Sequence, residues 1–308
     1  MLYLPKSHPS LPKLLRSGLD VTDSSPECGN EVRKIVILNL MPQKQEAEEE
    51  LYLMMGGVNV DIQVVLAKMS GLKYKTTPQV YMDTFYTDIA AIMSQPCCYD
   101  GLIVTGAPLE QYDYTEVKYW EQLHEVYRWS LNKVRSTLNV CWGAFASLKI
   151  FFNINKYWTE RKLFGLYEHD VCDRDVPLLK DFPDKLKIPI SRHITFCRNE
   201  IVSVPSVRLL IDQEVTGPEL AIAWDGRHIF ANGHLEYAEG RLAFEYQRDL
   251  AKGLDIEKPL DYFINDDPSA GVNYCWHAAG VKFYYNWITE YVCNDKLRIV
   301  PLDIEFKS

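Results

Sequence analysis

The chain reads as an α/β protein built on a mostly parallel sheet. Three observations carry that expectation. Short β-branched runs alternate with stretches of helical length through the first half of the chain, a pattern that closes through right-handed crossovers. The first run, KIVILNL (34–40), is a continuous β-branched stretch rather than an alternating one, as in strands covered on both faces. One run, TLNV (137–140), meets Cys141-Trp142-Gly143 and passes at once into a small-residue helix.

Residues 1–33 read as an irregular N-terminal arm, broken by Pro5, Pro9, Pro12, Pro26 and Gly29. KIVILNL (34–40) is a buried strand; Met41-Pro42 interrupts it, and QKQEAEEELYLMM begins a helix. VNVDIQVVLA (58–67) is a second strand, and GLIVTGAP (101–108) a third that ends in a Gly106-Ala107-Pro108 turn. Over 114–134, Val117, Trp120, Leu123, Val126 and Tyr127 recur at helical spacing. STLNVC (136–141) is the fourth strand and GAFASLKIFF a helix. VRLLID, LAIAWDG and HIFANGH read as an antiparallel addition, followed by helices over 238–253 and 279–292. No repeat or linker divides 34–308, so a single domain follows the arm.

A net charge of −9 argues against a general nucleic-acid binder and suits an enzyme of small metabolites. No apolar stretch approaches a membrane span. The opening MLYLPKSHPSLPKLLRSG carries two lysines and three prolines and lacks the apolar run of a secretory signal, so a cytoplasmic protein is expected. The eight cysteines form no CxxC pair, and no histidine cluster has zinc spacing. They are expected to be reduced thiols, mostly in the core, with no metal bound. His124, His169 and His228 are scattered and read as structural. The arm and the aromatic content point toward a homodimer.

Ligands bind beyond the carboxyl ends of strands in such sheets. Cys141 lies there, at the start of a helix whose dipole favours a thiolate. The Trp142 N–H points out of the helix, available to an oxyanion, and Gly143 leaves room for the turn. That is the layout of a nucleophile elbow with sulfur for oxygen, although Asn139 stands two residues before the nucleophile where Gly is usual. Late in the chain, His234 ends the strand pattern HIFANGH with Glu236 two residues on. Residues i and i+2 of an extended chain share a face, so Glu236 is placed to orient the imidazole. Cys141, His234 and Glu236 would then be nucleophile, base and orienter; the alternative is that His234 is a turn residue after Gly233 and Glu236 is solvent-exposed.

These stretches, together with VILNLMPQKQEAEEE, DGLIVTGAPLE, VCWGAFASL, KLFGLYEH, SRH (191–193), NGHLEY, RDLAKGLD and NWITEYV, resemble the homoserine O-succinyltransferase/O-acetyltransferase family, including its serine O-acetyltransferase members. The resemblance implies a class I glutamine amidotransferase-like, flavodoxin-like fold. It also implies ping-pong acyl transfer from an acyl-CoA co-substrate through a Cys141 thioester, with no bound cofactor. The oxyanion hole would use the Trp142 N–H and an N–H of the Gly106-Ala107 turn. Arg248 matches the arginine that takes the amino-acid carboxylate. Lys44 and Lys162 match lysines near the site mouth, placed to contact CoA phosphates or shape the pocket, and Ser191 lies on a loop beside the acceptor.

Glu110 stands where the family has Glu in users of acetyl-CoA and Gly in users of succinyl-CoA. A succinyl carboxylate facing Glu110 in a partly desolvated pocket is repelled, so acetyl-CoA is the expected donor. The acceptor is homoserine on the family pattern. Phe145, Leu235, Ile190 and the Trp276-His277-Ala278 run depart from that pattern, however, and a pocket narrowed by Phe145 would suit serine. A succinyltransferase and a glutaminase-like hydrolase are the remaining alternatives.

Overall fold

The computed structural model describes residues 1–27, 31–297 and 299. Cys28 and Gly29 of the arm, and residues 298 and 300–308 of the domain, lie outside the described residues. In chain order the strands are β1 (Leu2–Tyr3), β2 (Val21–Thr22), β3 (Arg33–Leu38), β4 (Ile62–Lys68), β5 (Thr87–Asp88), β6 (Tyr99–Val104), β7 (Val134–Val140), β8 (Lys156–Val171), β9 (Lys185–Phe196), β10 (Val207–Asp212), β11 (Leu220–Ala223) and β12 (His228–Ala231). The helices are α1 (Leu11–Arg16), α2 (Lys44–Met55), α3 (Gln79–Phe85), α4 (Ile89–Met93), α5 (Trp120–Lys133), α6 (Trp142–Phe152), α7 (Arg198–Val202), α8 (Arg241–Ala251) and α9 (His277–Trp287).

The strands form one sheet in the order β2-β1-β4-β3-β6-β7-β12-β11-β10-β8-β9, with β5 added to β4. From β2 to β12 neighbours run parallel; from β12 to β9 they run antiparallel. The central order β4-β3-β6-β7-β12 is the doubly wound flavodoxin order, whose switch point falls between β3 and β6. Both faces are covered, which is why Ile35–Leu38 and Leu102–Val104 are continuously apolar. Ile35 and Ile37 of β3 pack with Leu51 and Met54 of α2 and Trp287 of α9. Val36 and Leu38 point the other way, toward Val126 of α5 and Leu148 of α6.

Local departures from the sequence reading have local causes. The second strand begins at Ile62 because 58–60 turns on itself, the Val60 N–H donating to the Val58 carbonyl. The helix expected from 114 begins at Trp120, since Asp113 and Glu116 cap a separate 3₁₀ turn. The last helix runs into a π turn at Ile288–Val292. Within the N-terminal arm, β1 and β2 extend the sheet edge. Most of 156–196 has no counterpart among the strands read from sequence: it is the β8–β9 hairpin, irregular between Trp158 and Leu163. Gly165 lies in it at φ 138°, where a Cβ would fall 2.2 Å from the Leu260 backbone nitrogen. No helix of the described residues is long and apolar enough to cross a membrane.

Candidate active site

Cys141 belongs to neither β7 nor α6. Its backbone sits at φ 49°, ψ −117°, a region that costs a non-glycine residue about 1–3 kcal/mol. Three hydrogen bonds hold it there. The Cys141 N–H donates to the Ala231 carbonyl at 2.7 Å, and its carbonyl accepts from the Ala144 and Phe145 N–H groups at 2.8 and 3.1 Å. Two glycines let the neighbouring backbone close in. A Cβ on Gly143 would come 2.6 Å from the Val104 carbonyl oxygen, and one on Gly106 would come 3.2 Å from the Cys141 Cβ. The start of α6, the end of β6 and the cysteine therefore meet at one point. Among the described residues no backbone carbonyl accepts from the Trp142 or Ala107 N–H.

Next to β7 runs β12, and the turn after it carries His234, whose N–H donates to the Pro189 carbonyl at 2.9 Å. The imidazole Nδ1 lies 2.6 Å from Glu236 Oε1. That leaves Nε2 as the ring nitrogen not taken by Glu236, and Cys141 is close enough to act on the charge of the ring. Tyr237 stacks on the ring at 4.0 Å and 14°. Burial alone would depress the His234 pKa, but Glu236 and Cys141 outweigh it and hold the ring well above the usual range. An imidazole of raised basicity, oriented by a carboxylate and influenced by a nearby thiol, is suited to accept the thiol proton.

Beyond Tyr237 lies a polar wall that the sequence reading found only in part. The Ser191 hydroxyl donates to Glu245 Oε2 at 2.5 Å, and the Tyr237 hydroxyl donates to Oε1 at 3.4 Å. Lys162 Nζ stands 3.4 Å from Asp249 and 4.0 Å from Glu245. Ser191 and Lys162 are thus brought to the site. Arg248 lies at the margin, its guanidinium fork closed on Asp249 at 2.7 and 3.0 Å. Glu245 and Asp249 had gone unremarked. Their signal was two carboxylates four residues apart on one face of the amphipathic helix α8, both buried. An open cleft of about 1530 Å³ is lined by Lys162 and Asp249, the outer members of this wall, and not by Cys141 or His234. Its lysines are paired, Lys187 with Asp261 and Lys258 with Asp266.

Glu110 is half-buried, and its Oε2 accepts from the His193 N–H at 2.9 Å, so its charge sits on β9 beside Ser191. Lys44 is not at a mouth. It is 2% exposed, donates to the Asn39 carbonyl, lies 4.8 Å from the Tyr74 ring, and burial pushes its pKa down to about 7. As placed, it cannot meet a phosphate in solution. Phe145 and Ile190 are fully buried, Phe145 stacking on Phe196 at 4.0 Å, so the bulk expected in the acceptor pocket belongs to the core. Leu235 is likewise buried, its carbonyl against Gly280, and Trp276 supports the site by donating to the Tyr237 carbonyl at 2.9 Å. Of the seven described cysteines, all free, only Cys141 is buried, which corrects the expectation of mostly core thiols. His228 lies in an aromatic cage, where burial and Arg227 lower its pKa to about 3. Among the described residues no group of three or more His, Cys, Asp or Glu is placed to hold a metal.

Residues 2–297 match the homoserine O-succinyltransferase family. The chain is 38% identical over 293 residues to the homoserine O-acetyltransferase of Petrotoga mobilis, covering 94% of each chain. It is 37% identical to the enzyme of that name from Bacteroides thetaiotaomicron, over 94% of this chain and 95% of the other. Among solved structures it superposes on a glutamine amidotransferase from Thermotoga maritima with TM-score 0.54 at 14% identity, covering 85% and 99% of the two chains. A glutamine amidotransferase from Methylobacillus flagellatus gives 0.53 at 13% identity, over 84% and 94%. At those identities the likeness is one of fold.

Proposed function

The chain belongs to the homoserine O-succinyltransferase family of acyltransferases, and on that premise we propose that it moves acetyl from acetyl-CoA to the hydroxyl of L-homoserine through a thioester on Cys141. One observation carries the reading: a buried thiol on a strained turn lies close enough to raise the basicity of an imidazole whose Nδ1 is 2.6 Å from a buried carboxylate.

In the first half-reaction His234 takes the thiol proton and the sulfur attacks the acetyl carbonyl. The Trp142 and Ala107 N–H groups face the oxyanion. Coenzyme A leaves as its thiol, taking the proton back from His234. The exchange of one thioester for another is near neutral in energy and keeps the acyl group activated. In the second half-reaction His234 takes the proton of the acceptor hydroxyl, the oxygen attacks, and Cys141 leaves. Glu236 holds the ring for both steps. Lys162, Ser191 and Arg248 form the acceptor side. Arg248 keeps part of its donor set beyond the Asp249 fork for a substrate carboxylate. The half-buried charge of Glu110 favours acetyl over succinyl, whose carboxylate would be repelled.

Phe145 and Ile190 lie in the core, so neither narrows the pocket toward L-serine, and homoserine is the preferred acceptor. The setting is cytoplasmic methionine biosynthesis, with acetyl-CoA as co-substrate. Incubation with acetyl-CoA should leave an acetyl group on the Cys141 peptide, discharged faster by L-homoserine than by L-serine or water. Absence of the thioester, with hydrolysis of amides in its place, would sink the transferase reading.

A further inference from the structure

The two turns that flank the switch point are stitched together by one side chain. Thr105, the residue after β6, is buried. Its hydroxyl accepts from the Leu40 N–H at 2.7 Å, on the turn after β3, and donates to the carbonyl oxygen of Gly106 at 3.2 Å. The Gly106 carbonyl and the Ala107 N–H belong to one rigid peptide unit. In a trans peptide they point in opposite directions. Whatever holds the carbonyl therefore aims the N–H. Gly106 could otherwise turn freely, because it has no Cβ, and it is pressed on the nucleophile: a Cβ there would stand 3.7 Å from Cys141 Sγ.

We propose that Thr105 is a positioning residue whose hydroxyl latches the Gly106–Ala107 peptide, so that the Ala107 N–H faces the oxyanion formed on the Cys141 thioester. The latch is anchored rather than floating. Asn39 fixes the opposite turn, accepting from the Met41 N–H at 3.1 Å while its amide donates to Tyr86 and to the Lys44 carbonyl at 2.9 and 3.2 Å. The proposal rests on the acyl-transfer reading above and adds a residue that touches neither substrate nor thiol.

Two reactions of the same sulfur test it. Acetylation by acetyl-CoA passes through an oxyanion; alkylation by iodoacetamide, at a saturated carbon, does not. Thr105→Val should slow single-turnover acetylation of Cys141 by about tenfold or more while alkylation stays within about twofold. Thr105→Ser, which restores the hydroxyl, should recover acetylation. Thr105→Ala, with space for water at the Leu40 N–H, repeats the comparison should the valine variant not fold. Acetylation unchanged in the valine or alanine variant overturns the latch. So does an equal fall in both reactions, since the hydroxyl would then act on the thiol or the fold. A wild-type protein that alkylates at Cys141 but takes no acetyl removes the transfer reading itself, and the latch with it.

Discussion

Gly143→Ala probes the join on which the site depends. An alanine Cβ would lie 2.6 Å from the Val104 carbonyl oxygen, 3.1 Å from that of Thr105 and 3.3 Å from the Val104 carbonyl carbon. All three are backbone atoms, so no side chain can swing aside. Ordinary contact begins at 3.4 Å, so the first turn of α6 must retreat from the end of β6 by about 0.8 Å. That gap separates the Trp142 N–H from the Ala107 N–H. A misplacement near 1 Å costs about 10²-fold in rate, and loss of one oxyanion donor costs about 10²–10³-fold. The fold should survive, because overpacking costs about 1–3 kcal/mol and alanine returns roughly 1 kcal/mol of helix propensity. Steady-state kinetics with a melting curve on the same sample should show kcat down by about two orders of magnitude. KM for homoserine should change little, since Lys162, Ser191 and Glu245 stand on β8, β9 and α8. A folded variant with kcat within about threefold of wild type would refute the convergence of the two N–H groups on one oxyanion.

Cys141→Ser should form no acyl-enzyme and lose transfer by about 10³-fold or more, because a serine hydroxyl is far less ionised near neutral pH; turnover near the wild-type rate would exclude a sulfur nucleophile. Glu110→Gly should admit succinyl-CoA. Two like charges about 5 Å apart at an effective dielectric of about 20 repel by roughly 3 kcal/mol, so the succinyl-to-acetyl ratio of kcat/KM should rise by roughly 10²-fold, and an unchanged ratio would remove the charge from donor choice. His228, with its pKa lowered to about 3, should make the fold acid-sensitive. The unfolded chain takes up that proton below about pH 6.5 and the folded chain does not, so stability present above pH 6.5 is lost as pH falls toward 3. Between pH 7 and 5 the loss is about 2 kcal/mol. Urea midpoints of His228→Gln should therefore fall less over that interval than those of wild type; equal shifts would show that His228 titrates normally.

The parallel half of the molecule was legible because its signals are local. Ile35 to Leu38 are apolar on both faces because both faces are covered, and the strand-end cysteine announces itself by the glycine that must follow it. His234 and Glu236 were legible for the same reason, being two residues apart. The β8–β9 hairpin was not. Its exposed start, Tyr157 and Trp158, its break before Leu163 and Gly165 pressed on Leu260 are set by partners far along the chain. Phe145 and Ile190 misled for a related reason: proximity in sequence to catalytic motifs placed them near the site, while the strand and helix faces turned both side chains into the core.

How the two halves are held in register follows from a pair buried behind the catalytic turn. Arg192 is 1% exposed, and its fork closes on Glu219, with Nη1 3.2 Å from Oε2. Burial would raise the Glu219 pKa, but Arg192 and His169 outweigh it and hold the carboxylate below its usual range. Such a pair gains little stability over apolar residues of equal volume, because desolvation consumes the attraction. Its placement has the greater consequence. Arg192 lies between Ser191, bonded to Glu245, and His193, whose N–H holds Glu110. The Glu219 carbonyl accepts from the Asn232 N–H at 2.7 Å, two residues before His234. The strand that carries Ser191 and holds Glu110 is thereby tied to the turn that carries His234. On the proposed acyl transfer, two half-reactions on one sulfur would require one imidazole to serve both substrates, and that tie would fix the Ser191 and Glu110 sides relative to a single ring.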